Sequence, residues 1–600
     1  MCADGRCSAA WIGAIVYFAF CGFVVGAEEG TIKIDLGFTP VELEGGLTYL
    51  GPGPAPSTWN LLAPTNINAA DTTNADQLWS GGGLGLNLSG AGVSVGIWDG
   101  GPVRSTHLEL SGRVTVVDSG PAQNHATHVA GTIGAAGINA SAHGMANSVQ
   151  IYSYNWNDDT TEMGAAVSSY DIALSNHSYG YVCGWVRGID WGVGTVDTWY
   201  ADRSVYSIED PYFGKYDTNT QALDTTLYNN PKLLSVWAAG NDRNDQYTNA
   251  HGDDKYVTYL SGSPSGTPLG AGWYLVSTSS YSAPPKDGNG GSGYDCLPQQ
   301  QVAKNSLTVG AINDITDDPY SSGDVSMTSF SSWGPTDDGR LKPDVVANGG
   351  SLISSLASSD DAYGSYSGTS MASPNATGTC ALLVEHYQNL NGGQLPYSAT
   401  MKALVMHTAT DAGNVGPDYT YGYGVLDGAA AAQLLSDLDA PDSTVFLFED
   451  TFDGTELTYS VLSDGSEPLK VTLAWTDPAP DILPGSGLDD ATLVLVNDLD
   501  LWLTDNSDTI FYPWTLDPAN PGNPAVQTQL NHLDNVVQVW IADATAGWYT
   551  IHIGGMLDAA YLSQDYSLIG SGAVVPEPSQ IIMLLGLAVM WFARRRLRRG

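Results

Sequence analysis

Ser370 lies in the run GTSMASP (368–374), directly ahead of an apolar stretch with helical spacing. We therefore expect it in the first turn of a helix, where free backbone N–H groups and the helix dipole favour negative charge. A serine placed there suits nucleophilic attack on a carbonyl, because its own N–H can stabilise the developing oxyanion. The simpler alternative is a residue that only caps the helix.

Two histidines three residues apart, His125 and His128, open another helical stretch in HATHVAGT (125–132). The pair could bind a metal, but no glutamate lies between them as the helical zinc motif requires. We predict that His128 is a buried core residue. His125, in the first helical turn, is then the candidate general base for Ser370.

Two further polar side chains follow apolar runs that predict buried strands. Asp99 comes after VSVGIW (93–98), and Asn241 comes soon after LLSVWAA (233–239). Sites gather at the carboxyl ends of parallel strands, so Asp99 could orient the histidine and Asn241 could donate an uncharged hydrogen bond to the oxyanion. A lone aspartate after a strand is more commonly a turn residue, so Asp99 alone is a weak signal.

Short apolar strands alternate with helical patterns around these residues. The alternation predicts an α/β fold, with a parallel sheet that is covered by helices on both faces. Two stretches rich in glycine, aromatic residues and aspartate, near 181–230 and 242–300, are predicted to be surface insertions. From about 440 to 570, short strands without helices, including one at 491–496, predict an all-β sandwich or jelly-roll domain.

In the chain order Asp99, His125, Asn241, Ser370, these segments resemble the subtilase family of serine peptidases, whose triad order is Asp–His–Ser. Further similar runs are SFSSWGP (329–335), LKPDV (341–345) and YGYGVLD (421–427), so the resemblance covers about 90–435. It implies a subtilisin-like peptidase domain at about 76–437.

The resemblance also implies a role for each residue. Asp99 would orient His125, His125 would act as general base and then acid, and Ser370 would attack. Asn241 and the Ser370 N–H would hold the oxyanion.

The run Ser178, Tyr179, Gly180 resembles the family's strand that pairs with substrate residues ahead of the scissile bond. Backbone pairing with an extended peptide implies an endopeptidase of broad specificity.

Three departures from the family pattern stand in this sequence. Ala126 replaces the glycine that usually follows the catalytic histidine, and Gly100 with Gly101 replaces the usual hydroxyl residue and glycine after the aspartate. Residues 28–75, read as a linker or short propeptide, are short for the family's folding propeptide.

The runs VTLAWTD (471–477) and LVNDLDL (495–501) resemble the C-terminal β-sandwich of alkaline two-domain subtilases, which often bind calcium. The resemblance implies structural calcium and no cofactor for catalysis. Acidic clusters could supply oxygen ligands, although a solvated acidic face is the simpler interpretation of any one of them. The candidates are Asp158 with Asp159, Asp317 with Asp318, and Asp477 with Asp498 and Asp500.

Both ends of the sequence resemble export signals. Residues 1–27 contain an apolar run that ends in VGA, as in a secretory signal peptide, with an uncleaved N-terminal anchor as the alternative. Residues 574–600 combine VPEPS, an apolar transmembrane-like stretch and an arginine-rich tail, and resemble the PEP-CTERM sorting signal of Gram-negative bacteria. A permanent membrane anchor is the alternative for this segment.

These signals imply processing by signal peptidase and by an exosortase-type enzyme, and an extracellular or cell-surface location. The 64 acidic and 21 basic residues give a formal net charge of −43. Such a surface repels nucleic acid and anionic lipid, so we expect protein or peptide substrates, and contact with membranes only through the terminal segments. After export, Cys183 and Cys296 could form a disulfide, while Cys380 is predicted to be buried.

Two other functions fit parts of the sequence. A catalytically silent, surface-displayed binding or adhesion module could keep the same frame, but all four polar positions are filled. An esterase of the α/β-hydrolase class requires GxSxG and the order Ser–Asp–His, whereas Ser370 lies in GTSMA and both partners precede it. The sequence therefore predicts a secreted or surface-sorted serine endopeptidase that hydrolyses peptide bonds through an acyl-enzyme.

Overall fold

Strands and helices alternate over the first two thirds of the chain, and strands alone follow. The computed structural model describes residues 41–43, 47–52, 59–62, 66–262, 264–315, 320–440 and 443–575. The helices are α1 (Ile67–Thr72), α2 (Asn124–Gly134), α3 (Asp159–Tyr170), α4 (Thr218–Asn229), α5 (Thr369–Leu390), α6 (Ser398–Thr408) and α7 (Gly428–Asp437).

The strands of the first two thirds are β1 (Val41–Leu43), β2 (Leu47–Pro52), β3 (Trp59–Leu62), β4 (Ser94–Asp99), β5 (Val114–Val116), β6 (Gln150–Asn155), β7 (Ile172–His177), β8 (Trp185–Asp190), β9 (Thr195–Asp202), β10 (Leu234–Ala238), β11 (Lys255–Tyr259), β12 (Thr267–Gly270), β13 (Trp273–Ser277), β14 (Leu307–Ile312), β15 (Val345–Asn348), β16 (Leu352–Ser355) and β17 (Tyr363–Tyr366). The remaining strands are β18 (Val445–Phe452), β19 (Leu457–Ser463), β20 (Leu469–Trp475), β21 (Asp498–Asp505), β22 (Ile510–Phe511), β23 (Val536–Ile541), β24 (Gly547–Met556) and β25 (Gln564–Ser571).

Seven strands form a parallel sheet in the order β15-β14-β10-β7-β4-β6-β5. Their side chains alternate between two apolar layers. Ile97 and Val236 pack with α2, α5, α6 and α7 on one face, and Trp98 and Trp237 pack with α3 and α4 on the other. Because both faces are covered, these strands are apolar along most of their length. The predicted α/β fold is confirmed.

The two predicted insertions contribute strands of their own. They form a five-stranded mixed sheet in the order β12-β13-β11-β9-β8. The ring of Trp185 lies 5.3 Å from the rings of both Trp199 and Tyr256 at its centre. The aromatic residues of the predicted insertions therefore form the core of a small β-sheet.

Two four-stranded antiparallel sheets follow, in the orders β18-β25-β20-β23 and β19-β24-β21-β22. Val471 and Leu568 of the first sheet share one core with Leu501 and Ile551 of the second. This packing confirms the predicted β-sandwich.

The strand predicted at 491–496 is wrong, because these residues form a loop that ends where β21 begins at Asp498. The N–H groups of Val496 and Asn497 donate to the carboxylate of Asp477 instead of to a neighbouring strand.

The sandwich packs on helix α6 of the α/β region. His407 of α6 lies 2.9 Å from the Thr472 hydroxyl in β20 and 3.0 Å from the Ser571 hydroxyl in β25. Nearby, Lys304 and Asp477 form an ion pair that is fully buried between the two regions. The sandwich is therefore joined to the α/β region by polar contacts as well as by apolar ones.

The predicted disulfide is absent, since Cys183 and Cys296 are free thiols. Both side chains are buried beside Phe213, and the Cys296 sulfur hydrogen-bonds to the backbone of Gly293 and Trp333 instead of to a second sulfur. Their presence in one cluster explains why the sequence suggests a pair.

The predicted signal peptide (1–27) and all but two residues of the predicted sorting segment (574–600) lie outside the described residues, as do Asp317 and Asp318. Among the helices that are described, none has both the length and the apolar character that a bilayer crossing requires.

Candidate active site

Asp99 and His125 are brought together although 26 residues separate them. Asp99 is the last residue of β4, and His125 lies in the first turn of α2. The Nδ1 atom of His125 lies 2.9 Å from one carboxylate oxygen of Asp99 and 3.0 Å from the other. Asp99 is 1% exposed and His125 is 8% exposed, so this contact is shielded from water. The buried carboxylate of Asp99 therefore orients the imidazole ring of His125.

Ser370 lies in the first turn of α5, as predicted, and is buried. Its hydroxyl donates a 3.0 Å hydrogen bond to the backbone carbonyl of Ser178. In return, the Ser178 hydroxyl donates a 2.9 Å bond to the carbonyl of Ser370. This exchange fixes the end of β7 against the start of α5. Helices α2 and α5 also pack on each other, and His125 and Ser370 both lie in their first turns.

The side chain of Asn241 is oriented by Thr369. Its Oδ1 atom accepts hydrogen bonds from the Thr369 N–H at 2.9 Å and from the Thr369 hydroxyl at 3.0 Å. These bonds assign the amide, so Nδ2 is directed away from Thr369. A Cβ atom placed on Gly368 would lie 3.5 Å from Asn241 Nδ2 and 3.6 Å from the Ser370 nitrogen. The side-chain amide of Asn241 and the backbone N–H of Ser370 therefore lie close to each other, as two donors to one oxyanion must.

Ser178, Tyr179 and Gly180 follow β7 and do not themselves form a strand. The carbonyls of the first two are occupied, by the Ser370 hydroxyl and by Gln301 Nε2 at 2.8 Å. Within the described residues, no hydrogen bond involves the N–H or C=O of Gly180. Of the three predicted substrate-binding residues, Gly180 is the one whose N–H and C=O both have no hydrogen bond within the described residues.

A buried network behind the site is missed by the sequence analysis. The Tyr179 hydroxyl donates to a carboxylate oxygen of Asp159 at 2.6 Å and lies 2.9 Å from His177 Nδ1. The His177 ring is stacked on Trp237, with ring centroids 4.1 Å apart. Burial and the nearby Asp159 carboxylate raise the pKa of Tyr179 well above its usual range. These residues hold the 178–180 segment in place. The sequence suggests Tyr179 as a substrate-binding residue and Asp159 as a calcium ligand, but it does not indicate the contacts that join them to each other and to His177.

His128 is a core residue, as predicted. It is fully buried, its Nε2 atom lies 2.9 Å from the carbonyl oxygen of Leu352, and its ring is stacked on Tyr366. Burial lowers the pKa of His128 to about 3. The ring is therefore neutral at physiological pH.

The departures from the family pattern have steric explanations. Ala126 is fully buried, so its methyl group is accommodated. A Cβ atom on Gly100 would lie 3.0 Å from the ring of Trp156, and one on Gly101 would lie 2.7 Å from the side chain of Gln123. The ring of Trp156 thus lies close to where the side chain of a hydroxyl residue at position 100 would be.

The predicted calcium ligands are only partly brought together. Asp477 does not join Asp498 and Asp500, because it is buried with Lys304. Asp498 and Asp500 meet His532 instead, whose Nδ1 atom lies 2.8 Å and 3.4 Å from their nearest oxygens.

The other pair, Asp158 and Asp159, is divided. Asp159 is buried and accepts the Tyr179 hydroxyl, while Asp158 precedes α3 in a left-handed conformation.

Several curated proteins are similar to parts of the chain. The serine protease/ABC transporter B family protein tagA of Dictyostelium discoideum is 24% identical over 590 residues, which cover 83% of this chain and 31% of that protein. The C5a peptidase of Streptococcus pyogenes is 31% identical over 184 residues, 29% of this chain and 15% of that protein. The serine protease AprX of Bacillus subtilis is 34% identical over 115 residues, 17% of this chain and 26% of that protein. The chain thus spans less than a third of the length of each relative.

Among solved structures, the patellamide maturation protease PatA is similar at 20% sequence identity, with a TM-score of 0.36 and coverage of 58% of this chain and 97% of that chain. The profile of the subtilase family (Peptidase_S8) matches residues 90–424. That match takes in the four segments that carry Asp99, His125, Asn241 and Ser370. Because it spans more than half of the 600 residues, the chain belongs to the subtilase family.

Proposed function

We propose that this chain is an exported endopeptidase in which Asp99, His125 and Ser370 form the catalytic triad. The observation that carries the proposal is the contact of His125 Nδ1 with both carboxylate oxygens of Asp99, at 2.9 and 3.0 Å. An ionised carboxylate only accepts hydrogen bonds, so Nδ1 carries the proton and Nε2 is the basic atom. Asp99 then stabilises the imidazolium that forms during the reaction.

The reaction proceeds in two halves. In the first, Ser370 Oγ attacks the carbonyl carbon of the substrate, and its proton passes to His125 Nε2. The same proton moves to the amine as the C–N bond breaks, which leaves the acyl group esterified to Ser370. In the second half, water gives a proton to Nε2 and attacks the ester carbon. The acid product leaves, and the proton returns to Ser370 Oγ.

Each tetrahedral intermediate places negative charge on the former carbonyl oxygen. Asn241 Nδ2 and the Ser370 N–H, which lie close to each other beside Gly368, are the donors that we assign to this oxyanion. Such donors act most strongly when they are fixed in advance, and the two bonds from Thr369 to Asn241 fix this one.

We propose an extended peptide as the substrate. The backbone polar groups of Gly180 would pair with a residue ahead of the scissile bond, in the manner of strand addition. The carbonyl of Ser178 becomes available when the Ser370 hydroxyl turns from it to attack.

The test is hydrolysis of casein by the purified full chain, beside Ser370→Ala and a matched control. Ser168→Ala is a suitable control, because Ser168 is exposed on α3 and its hydroxyl contacts only the carbonyl of Gly164. We expect hydrolysis by the wild type and by the control and none by Ser370→Ala. A fluorophosphonate probe should label the peptide that contains Ser370 and no other.

Folded wild-type protein that neither cleaves casein nor accepts the probe would contradict the proposal. The binding or adhesion module would then be the better interpretation. Labelling without cleavage of casein would keep the triad and exclude the broad specificity.

Export and sorting are part of the proposal and depend on the sequence of the two terminal segments. Mass spectrometry of the protein released by a Gram-negative host that has an exosortase should find an N-terminus near residue 28. Its C-terminus should lie ahead of the apolar stretch at 581–593. A chain that stays in the membrane with its arginine-rich tail intact would instead indicate a permanent anchor.

A further inference from the structure

Four carboxylates from distant parts of the sequence meet at one place. Glu209 lies between β9 and α4, Asp295 between β13 and β14, Asp337 between β14 and β15, and Asp489 between β20 and β21. One oxygen from each of Glu209, Asp295 and Asp489 lies within 4.8 Å of the others. We call these four residues the acidic cluster. Two of its members come from the insertions, one from the loop ahead of the nucleophile and one from the β-sandwich.

Because Gly214 has no side chain, it leaves room for the carboxylates of the acidic cluster. A Cβ atom at this position would lie 2.3 Å from an oxygen of Asp295 and equally close to an oxygen of Asp337. Gly214 also has a φ of +67°, which favours glycine. The backbone of Gly214 is bonded to the segments that carry these two residues. Its carbonyl accepts from the Asp337 N–H at 3.0 Å, and its N–H donates to the carbonyl of Leu297, two residues after Asp295. The two carboxylates are thus placed by rigid backbone.

Four buried oxygens of the cluster have no hydrogen bond to the part of the chain that the structure describes. Glu209 is 4% exposed and Asp295 is 5% exposed. Among the described residues, Glu209 Oε1, Asp295 Oδ1 and both oxygens of Asp337 are buried without a hydrogen bond. Buried polar atoms are nearly always bonded, and an uncompensated buried charge is among the costliest features that a fold can contain. Two of these oxygens, Asp295 Oδ1 and one of Asp337, lie on the same side of Gly214 and are therefore close together.

No basic side chain within the described residues neutralises the cluster. Lys215 is nearby, but its Nζ donates to the Gly485 carbonyl at 2.7 Å and forms no ion pair with the four carboxylates. Of the adjacent acids, Asp338 is paired with Arg340, and both oxygens of Asp210 accept backbone N–H groups. Within the described residues, the ammonium group of Lys215 is the basic group that acts on the cluster, where it lowers the pKa of Asp337 against the larger effects of burial and the other carboxylates.

The pKa values of the four carboxyl groups are all raised, as expected for acids that lie close together. Burial and the neighbouring carboxylates raise the pKa of Glu209, Asp295 and Asp337, and partial desolvation raises that of Asp489.

We propose that Glu209, Asp295, Asp337 and Asp489 bind one calcium ion. Calcium takes six to eight oxygen ligands at about 2.3–2.6 Å in flexible geometry, and carboxylates are its usual protein ligands. Magnesium is bound through one or two carboxylates and retains its water, and zinc prefers nitrogen and sulfur. The ion would join both insertions and the β-sandwich to the loop ahead of the nucleophile.

The test is calcium-dependent thermal stability of the full chain at pH 8, after chelation and dialysis. Calcium should raise the Tm in a saturable way, and by less at pH 5, where protons compete for the carboxylates. Asp489→Asn is the main variant, because Asp489 is exposed and its replacement should leave the fold intact. Asp295→Asn is the second. Loss of one ligand should weaken calcium binding by about tenfold or more.

Asp464→Asn is the matched control, since Asp464 is exposed in a turn of the sandwich, where its carboxylate accepts from Ser466, and it should keep the full calcium response. An equal rise in Tm in all three variants would overturn the proposal, because the ion would then bind elsewhere. No rise in the wild type would also overturn it, and would mean that protons alone hold the cluster. Labelling of Ser370 in the same samples tests the proposed function separately.

Discussion

The Oδ1 atom of Asn241 accepts two hydrogen bonds from Thr369, one from its N–H and one from its hydroxyl. Thr369 directly precedes the nucleophile, so the serine and the amide that would stabilise its product are tied to the same turn of α5. A shift of that turn moves both groups together. The relative position of nucleophile and oxyanion donor is thereby kept.

Replacing Asn241 by Leu should lower kcat by about 10²–10³, the magnitude measured for this kind of donor in a subtilisin. KM should change little, because the donor acts on charge that is present only in the transition state. Initial rates on a chromogenic peptide would separate the two constants. The control is Thr369→Val, which should lose about 1 kcal/mol of hydrogen bonding and hence about fivefold in kcat. Equal losses in both variants would contradict a donor role for Asn241.

Gly100→Ser should lower both stability and activity, although many subtilases have a hydroxyl residue at this position. The added Cβ atom would lie 3.0 Å from the ring of Trp156, so the half-buried ring must shift to accommodate it. Asp99 is the adjacent residue, so the disturbance reaches the triad. Melting curves and kcat/KM would measure the two effects.

The pair Gly100→Ser with Trp156→Ala tests the steric explanation. It should recover much of the lost activity, since the ring that blocks the hydroxyl is gone. A double variant as impaired as the sum of its parts would show that the hydroxyl itself is harmful.

Lys304→Met should destabilise the protein by about 3–5 kcal/mol, the cost of removing one partner of a buried ion pair. Lys304 and Asp477 are both fully buried, and the same Nζ also donates to the carbonyls of Pro478 and Val494. Asp477 would then remain without a counter-charge between the two regions. Urea unfolding followed by tryptophan fluorescence gives the free energy.

The double variant Lys304→Met with Asp477→Asn is the control for that measurement. It removes the unpaired charge and should be more stable than Lys304→Met alone. A double variant that is less stable would mean that packing, and not charge, explains the loss.

His128 should make the protein less stable in acid. Burial lowers its pKa from 6.5 to about 3, so the unfolded chain binds a proton that the folded one does not. Its contribution is complete above pH 6.5 and is lost as the pH falls from there towards 3, by about 1.4 kcal/mol for each pH unit. The free energy of unfolding of His128→Gln, measured in urea at pH 7, 6 and 5, should fall less steeply than that of the wild type. Parallel slopes would contradict this assignment.

Local patterns allowed the α/β fold, the sandwich and the positions of Asp99, His125 and Ser370 in their elements to be predicted. A strand that ends in Asp99 and a helix that begins at Ser370 are encoded within a few residues of each. Asp489 and Lys304 are different, because what they do depends on groups far away in the sequence. Asp477 shows the difficulty. The sequence around it suggests a calcium ligand, yet its carboxylate forms an ion pair with a lysine 173 residues earlier.

The burial of Lys304 has a consequence for the order of synthesis. The chain is made from its N-terminus, so the ammonium group emerges long before the carboxylate that neutralises it, 173 residues later. All three groups that accept from Lys304 Nζ, namely Asp477, Pro478 and Val494, belong to the sandwich region. Until they are made, the ammonium group has none of these partners and can stay in water, where its charge costs nothing. Docking of the sandwich is therefore the step that removes this charge from water and pairs it in the same event.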